Sequence, residues 1–211
     1  MKRKPFVQRP PALPRNPRER HLIVTEGTHT EVHYFKALKQ HFRVNADVHS
    51  AKASDPLSVV KSAIQRREEA QKRSKKSLID ETYDKIWCVF DVDGAEGSVQ
   101  FMEALDLAKG EKLEVILSNP CFEIWYILHF EFTTRPFTDA EEVKRHLRTS
   151  LDGYTESSQV FSELAPLTDK ALTHSRRLRT HHLNLCVPSH SNPSTHVDEL
   201  VEIFRQNAPS T

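Results

Sequence analysis

The chain has 211 residues, of which 37% are apolar and 28% charged, with a formal net charge of +1. That balance suits one soluble globular core and excludes a global electrostatic pull toward nucleic acid, so any basic surface has to be local. Cys88, Cys121 and Cys186 are far apart with no CxxC spacing, which excludes a disulfide framework or a cysteine-rich zinc module.

No apolar stretch approaches the roughly 20 residues of a membrane span, and the N-terminus lacks the apolar segment of a signal peptide. The expected location is therefore the reducing cytoplasm, away from membranes. Residues 1–19 read as a flexible, basic, proline-rich arm: the first twenty positions hold five prolines and seven Lys or Arg against one acid. A single domain is expected over residues 20–211.

HLIVTE (21–26) predicts a first strand. Thr28 and Glu31 have the spacing of a capping box, opening a helix with Val32, Phe35, Leu38 and Phe42 on its apolar stripe. VNADVHSA (44–51) predicts a second strand. Asp55-Pro56 supplies an N-cap and a first-turn proline for a helix burying Leu57, Val60 and Ile64. KIWCVFD (85–91) predicts the third strand, SVQFMEALDLAK (98–109) a helix stopped by Gly110, and KLEVILSN (112–119) the fourth strand.

Pro120 opens the apolar helix CFEIWYILHF (121–130), and Thr138 with Glu141 forms a second capping box for EEVKRHLR. The last third reads as helical, ending in STHVDELVEIFRQ with Ser194 or Thr195 as N-cap. Repeated β-α units predict an α/β fold with a mostly parallel, Rossmann-like four-stranded sheet flanked by helices. The helical C-terminal part is expected to pack on that sheet or extend it.

In an open parallel sheet, ligands bind beyond the carboxyl ends of the strands. Strand 1 ends in Thr25-Glu26-Gly27, strand 3 in Asp91-Val92-Asp93-Gly94, and strand 4 in Ser118-Asn119-Pro120. Like charges gathered at one edge raise one another's pKa unless a cation neutralises them, and a hard divalent ion, Mg²⁺ first, is the natural partner. Glu26 is then a metal ligand or the base that activates water. Each acid also has a bland reading: Glu26 as a solvated turn residue, Asp91 and Asp93 as turn or helix caps, Glu31 as half of a capping box.

These residues resemble the TOPRIM fold, the catalytic module of topoisomerases, primases and several small nucleases. That family has a glutamate after its first strand and a DxD motif after its third, matched by Glu26 and by Asp91 and Asp93. TEGTHTEVHYF, VFDVDG, LSNPCFEIWYILHFE and NPSTHVDELV together resemble the RloB family of bacterial defence loci, often encoded beside an ATPase. The resemblance implies Mg²⁺- or Mn²⁺-dependent cleavage of a phosphodiester backbone, in RNA such as tRNA or in DNA. Asp91 and Asp93 hold the ion, Glu26 binds it or takes a proton from water, and Glu31 completes a second metal site. Ser118, Asn119 and Glu123 are supporting candidates. The implied partners are a nucleic-acid substrate, an ATPase and, as a further candidate, another copy of the chain.

The chain is too short for a topoisomerase's strand-passage apparatus and lacks a primase's zinc module, which leaves a nuclease as the simplest member of the class. No lysine stands beside the acids in the sequence, so the group that steadies the transition state is unassigned. HTEVH (29–33) lacks the order of a zinc-protease motif, because Thr30 occupies the glutamate's place. Arg176, Arg177 and Arg179 in THSRRLRTHH, and the cluster QKRSKK, are candidate phosphate contacts, with solvated helix faces as the alternative. Two competing functions are a non-catalytic subunit bound to an ATPase and a haloacid-dehalogenase-type phosphatase using DVDG. The second normally carries that motif on its first strand, not its third.

Overall fold

Alternating β-branched runs and amphipathic segments fold as consecutive β-α units in the computed structural model, which describes residues 19–76, 82–186, 188 and 190–209. The basic arm, apart from Glu19, lies outside the described residues. The order is β1 (Arg20–Thr25), α1 (Thr30–Phe42), β2 (Asn45–Ser50), α2 (Pro56–Ser74), β3 (Lys85–Asp91), α3 (Val99–Gly110) and β4 (Glu114–Asn119). Then follow α4 (Glu123–Phe130), α5 (Ala140–Leu147), α6 (Phe161–Leu164), α7 (Thr168–Asn184), β5 (Ser194–Thr195) and α8 (Val197–Gln206).

The sheet has five strands in the order β2-β1-β3-β4-β5, where four were expected. β1 to β4 pair in parallel, and β5 adds an antiparallel edge through Ser118 opposite Thr195 and Asn119 opposite Ser194. Ser194 and Thr195 therefore form a strand instead of capping the last helix, whose N-cap position is His196. Two residues are too short to show a strand periodicity, so the cap signal prevailed in the sequence.

Strand alternation divides the core. Leu22, Val24, Ile86, Cys88 and Phe90 face α2 and α3, whereas Ile23, Trp87, Val89 and Ile116 face the layer built from α1, α4, α7 and α8. The second layer is the thicker one and encloses Trp125, Tyr126, Phe122 and Phe204, all at most 2% exposed. Truncating a side chain such as Leu200 there costs about 2–5 kcal/mol, because the cavity cannot fully collapse.

Several helix ends differ from the sequence reading. Asp55 does cap α2, accepting from the Ser58 N–H at 2.8 Å. For α5 the cap moves one residue: Asp139 accepts from the Glu142 N–H, and Glu142 accepts from the Thr138 N–H. Gly110 is the last helical residue of α3, and Lys112 takes the left-handed turn at φ +56°. At α1 the expected Thr28–Glu31 box does not form; His29 is the N-cap residue without a side-chain cap, and Glu31 turns elsewhere. Among the described residues, no helix is long and apolar enough to cross a membrane.

Candidate active site

From β1 the chain crosses outward to β2, and from β3 it crosses the other way to β4, so the carboxyl ends of β1 and β3 flank the topological switch point. Such a crevice is where open α/β sheets bind ligands. Register places Thr25 beside Val89 and Asp91 beside Ser118. Glu26 follows directly, its N–H bonded to the Val89 carbonyl at 2.9 Å. Its Oε2 accepts from the Asp91 N–H at 3.1 Å, which ties the two strand ends together.

Asp91 continues the parity of Trp87 and Val89, so it points toward the α1 and α4 layer, where it accepts the Phe122 N–H just before α4. The strand then turns. Asp93 has φ +31° and Gly94 φ +71°, and Asp93 is exposed at the rim. The two aspartates of DVDG thus reach one cleft from different depths.

That cleft has a volume of about 230 Å³ and is lined by Glu26, Glu31, Asp91, Asp93 and Glu123 together with Lys144 and Glu156. Glu31 is 5% exposed, and its Oε1 accepts from the Gly27 N–H at 3.0 Å. Gly27 leaves room for Glu31: a Cβ there would lie 2.1 Å from Glu31 Oε2, so the carboxyl would have to move. Glu123, 3% exposed at the start of α4, accepts from the Tyr154 hydroxyl at 2.9 Å and from Thr30 Oγ1 at 3.4 Å. It is an ordered wall of the cleft, held by hydroxyls and not by a basic side chain.

The electrostatics follow from this burial. Desolvation raises the Glu31 carboxyl to about 7, with Glu123 and Glu26 adding repulsion against the relief of the Gly27 N–H. Asp91 lies well above the usual carboxylate range, again first through burial and then through Glu31, Glu123 and Glu26. Burial raises Glu26 too, although the Asp91 N–H opposes it and Asp55 and Asp93 reinforce it. Carboxyls pushed up by burial and by one another favour an added cation, and an all-oxygen donor set suits Mg²⁺ or Mn²⁺. Among the described residues, no three His, Cys, Asp or Glu side chains stand close enough to enclose an ion as they are.

Lys144 was missed by the sequence reading. It reaches the cleft from α5 and pairs with Glu156, 53 residues downstream of Asp91 on an element with no strand-end signal. Burial alone would lower its pKa, but the Glu156 hydrogen bond and the field of Glu123, Glu156 and Cys121 hold it above the ordinary lysine value. Nothing local in the sequence marks it, because its place depends on how α5 packs.

Other candidates lie elsewhere. Ser118 Oγ bonds Thr195 Oγ1 at 2.9 Å, and Asn119 Nδ2 donates to the His190 carbonyl at 2.7 Å, so both secure β5 and its approach. Arg179 forms two bonds to buried Asp198 at 2.7 and 2.5 Å, Arg176 pairs with Glu202, and the Arg177 guanidinium lies 3.9 Å over the Phe132 ring. Arg176 and Arg179 thus serve the α7–α8 contact. His29 and His33 have ring centroids 6.0 Å apart.

The family model described as RloB-like protein matches residues 21–204. No curated protein and no solved structure matches the chain. The matched range takes in both strand ends of the cleft, the helices that cover it and β5, and with that coverage the chain belongs to the RloB-like protein family.

Proposed function

We propose that the cleft is the active site of a Mg²⁺- or Mn²⁺-dependent TOPRIM-type nuclease that hydrolyses a phosphodiester bond in RNA, with tRNA a candidate, or in DNA. The observation that supports it best is the convergence of Glu26 and Asp91 at the switch point, with Glu31 and Asp93 on the same cleft. In this reading Asp91 and Asp93 hold the ion, with Glu31 as a further ligand, and Glu26 either joins them or serves as the base. A divalent ion bound there supplies Lewis-acid polarisation of the phosphoryl oxygen and neutralises charge on the leaving oxygen.

The chain's own groups do the rest. Glu26 is held through Oε2 by the Asp91 N–H, and its burial-raised pKa brings it closer to a useful proton acceptor for the attacking water. Water oxygen bonds to phosphorus, the bond to the leaving oxygen breaks, and that oxygen takes a proton from solvent. Lys144 is the cation nearest in kind to the missing phosphate-steadying group, because it lines the same cleft. Glu123, fixed by Tyr154 and Thr30, keeps the wall of α4 in place.

The defence role and the ATPase partner rest on the resemblance to the RloB family. The test incubates purified protein with tRNA, single-stranded RNA and plasmid DNA in Mg²⁺ or Mn²⁺, with and without a candidate ATPase partner. Glu26→Ala and Asp91→Ala run in parallel. Cleavage by wild type and its loss in both variants supports the reading. Equal inertness of all three with the partner present rejects it, as does cleavage that survives both substitutions.

A further inference from the structure

A second open trench, of about 420 Å³, adjoins the carboxylate cleft and shares His29, Lys144 and Glu156 with it. Its far wall carries Arg148 and Glu141, and its opposite lip is Thr155 to Ser157. Ala140, Lys144 and Arg148 are spaced four apart in α5 and its C-cap, so they follow one another along one helix face while Val143 and Leu147 point into the core. Two cations therefore stand in a row leading out of the acidic cleft.

Resting on the nuclease reading above, we infer that this row is a backbone-positioning track: Lys144 and Arg148 bind successive phosphates of the nucleic-acid strand whose scissile bond lies over the carboxylates. Side chains one helical turn apart have Cβ atoms about 5–6 Å apart, a step that suits neighbouring phosphates on one strand.

Both cations now carry exposed acidic partners. Lys144 pairs with Glu156, whose side chain is 56% exposed, and Arg148 with Glu141, 67% exposed. The Arg148–Glu141 pair is exposed and contributes little to stability, and in the other pair the Glu156 end is open to solvent while Lys144 itself is only 18% exposed, so a phosphate can replace either carboxylate. The exchange leaves the scaffold in place, because Arg148 Nε stays bonded to the Tyr154 carbonyl. Glu156 and Glu141 act as placeholders that rotate into solvent when the strand enters.

Arg145 provides an internal control. It lies on the same helix with the same charge, is exposed, and lines neither cleft nor trench.

Binding is measured by fluorescence anisotropy in EDTA, which prevents cleavage, using labelled single-stranded RNA of about twelve nucleotides, within the range of known single-strand sites, and DNA of the same sequence. A salt series is run for wild type, Lys144→Gln, Arg148→Gln, Arg145→Gln, Glu156→Gln and Lys144→Arg, with a thermal melt of each. Lys144→Gln and Arg148→Gln are expected to weaken binding several-fold, each flattening the slope of log K against log salt by about 0.7. Arg145→Gln leaves the slope unchanged, Lys144→Arg retains binding, and Glu156→Gln tightens it by freeing Lys144. The RNA and DNA arms tell which backbone the track prefers.

Variants that melt like wild type but bind with its affinity and slope overturn the track. So does an Arg145→Gln loss as large as the other two. If wild type still cleaves with metal in those cases, the nuclease reading stands alone. If wild type neither binds nor cleaves any probe, both readings fall.

Discussion

The Asp91 N–H donates to Glu26 Oε2 at 3.1 Å, which joins the last residue of β3 to the residue after β1 across the switch point of the sheet. One carboxylate oxygen of Glu26 is thereby committed to structure and the other left for chemistry. Glu26→Gln keeps an oxygen for the Asp91 N–H, so its melting temperature should stay close to that of wild type while activity falls by about two orders of magnitude, the usual scale for a lost general base. Glu26→Ala loses the bond as well and should cost about a further 1 kcal/mol. Paired melts and cleavage rates check this; a Gln variant with wild-type rate would exclude Glu26 from catalysis.

Glu31 makes the fold less stable at neutral pH so that the cleft can be acidic. Its carboxyl is raised to about 7, so between its unfolded value and that point the unfolded chain releases a proton that the native chain keeps. Stability from this group is full at pH below the unfolded carboxylate value and is lost as pH rises toward about 7. Glu31→Gln should therefore stabilise the metal-free protein at pH 8 by on the order of 1–3 kcal/mol, and hardly at all at pH 4. Urea unfolding at the two pH values measures the difference; destabilisation at pH 8 would contradict it.

His129 has the opposite sign. It is fully buried in α4, with Nδ1 bonded to the Trp125 carbonyl at 2.9 Å, and burial pushes its pKa down to about 4. Above its unfolded value, near 6.5, neither state is protonated and nothing is lost. As pH falls toward 4 the unfolded chain takes the proton first, so stability drops by up to about 1.4 kcal/mol per pH unit from this residue. His129→Leu should show a shallower acid slope than wild type between pH 6.5 and 4, read from denaturant midpoints at each pH. An unchanged slope would mean that His129 titrates normally in the native state.

The arginine cluster of α7 separates fold from function. Asp198 is 1% exposed and is bonded by Arg179 through both oxygens and by Ser175 Oγ at 2.8 Å. Arg179→Ala leaves that carboxylate buried without its cation and should cost about 3–5 kcal/mol. Arg177→Ala, removing an exposed side chain over Phe132, should cost under about 1 kcal/mol. Chemical denaturation ranks the two; equal small losses would return Arg179 to the list of surface cations.

What could be read from the sequence was what is written in local periodicity. The strands Arg20–Thr25 and Lys85–Asp91 carry short apolar runs rich in β-branched and aromatic residues, and their acid-glycine endings mark the edge where the cleft forms. Glu123 stood out as an acid in an apolar helix, and it does face the cleft. Lys144 did not stand out, because its place depends on how α5 docks across α4, a tertiary choice with no local mark. Ser194 and Thr195 misled for a related reason: hydroxyl residues before an amphipathic helix suggest a cap, and only pairing with β4 makes them a strand. Gly27 after Glu26 suggests a turn glycine, but its φ is not positive and what it provides is the space that Glu31 occupies.

A divalent-cation site at the cleft is checked by calorimetric titration of the metal-free protein with Mn²⁺ and Mg²⁺ at pH 7. The expected result is saturable binding accompanied by proton release, visible as a dependence of the heat on buffer, because a cation displaces protons from carboxyls whose affinity for them burial has raised. Asp91→Asn should abolish that binding without lowering the melting temperature. No saturable binding of either ion by the wild type, or binding unaltered in Asp91→Asn, would mean that the cleft is not a divalent-cation site.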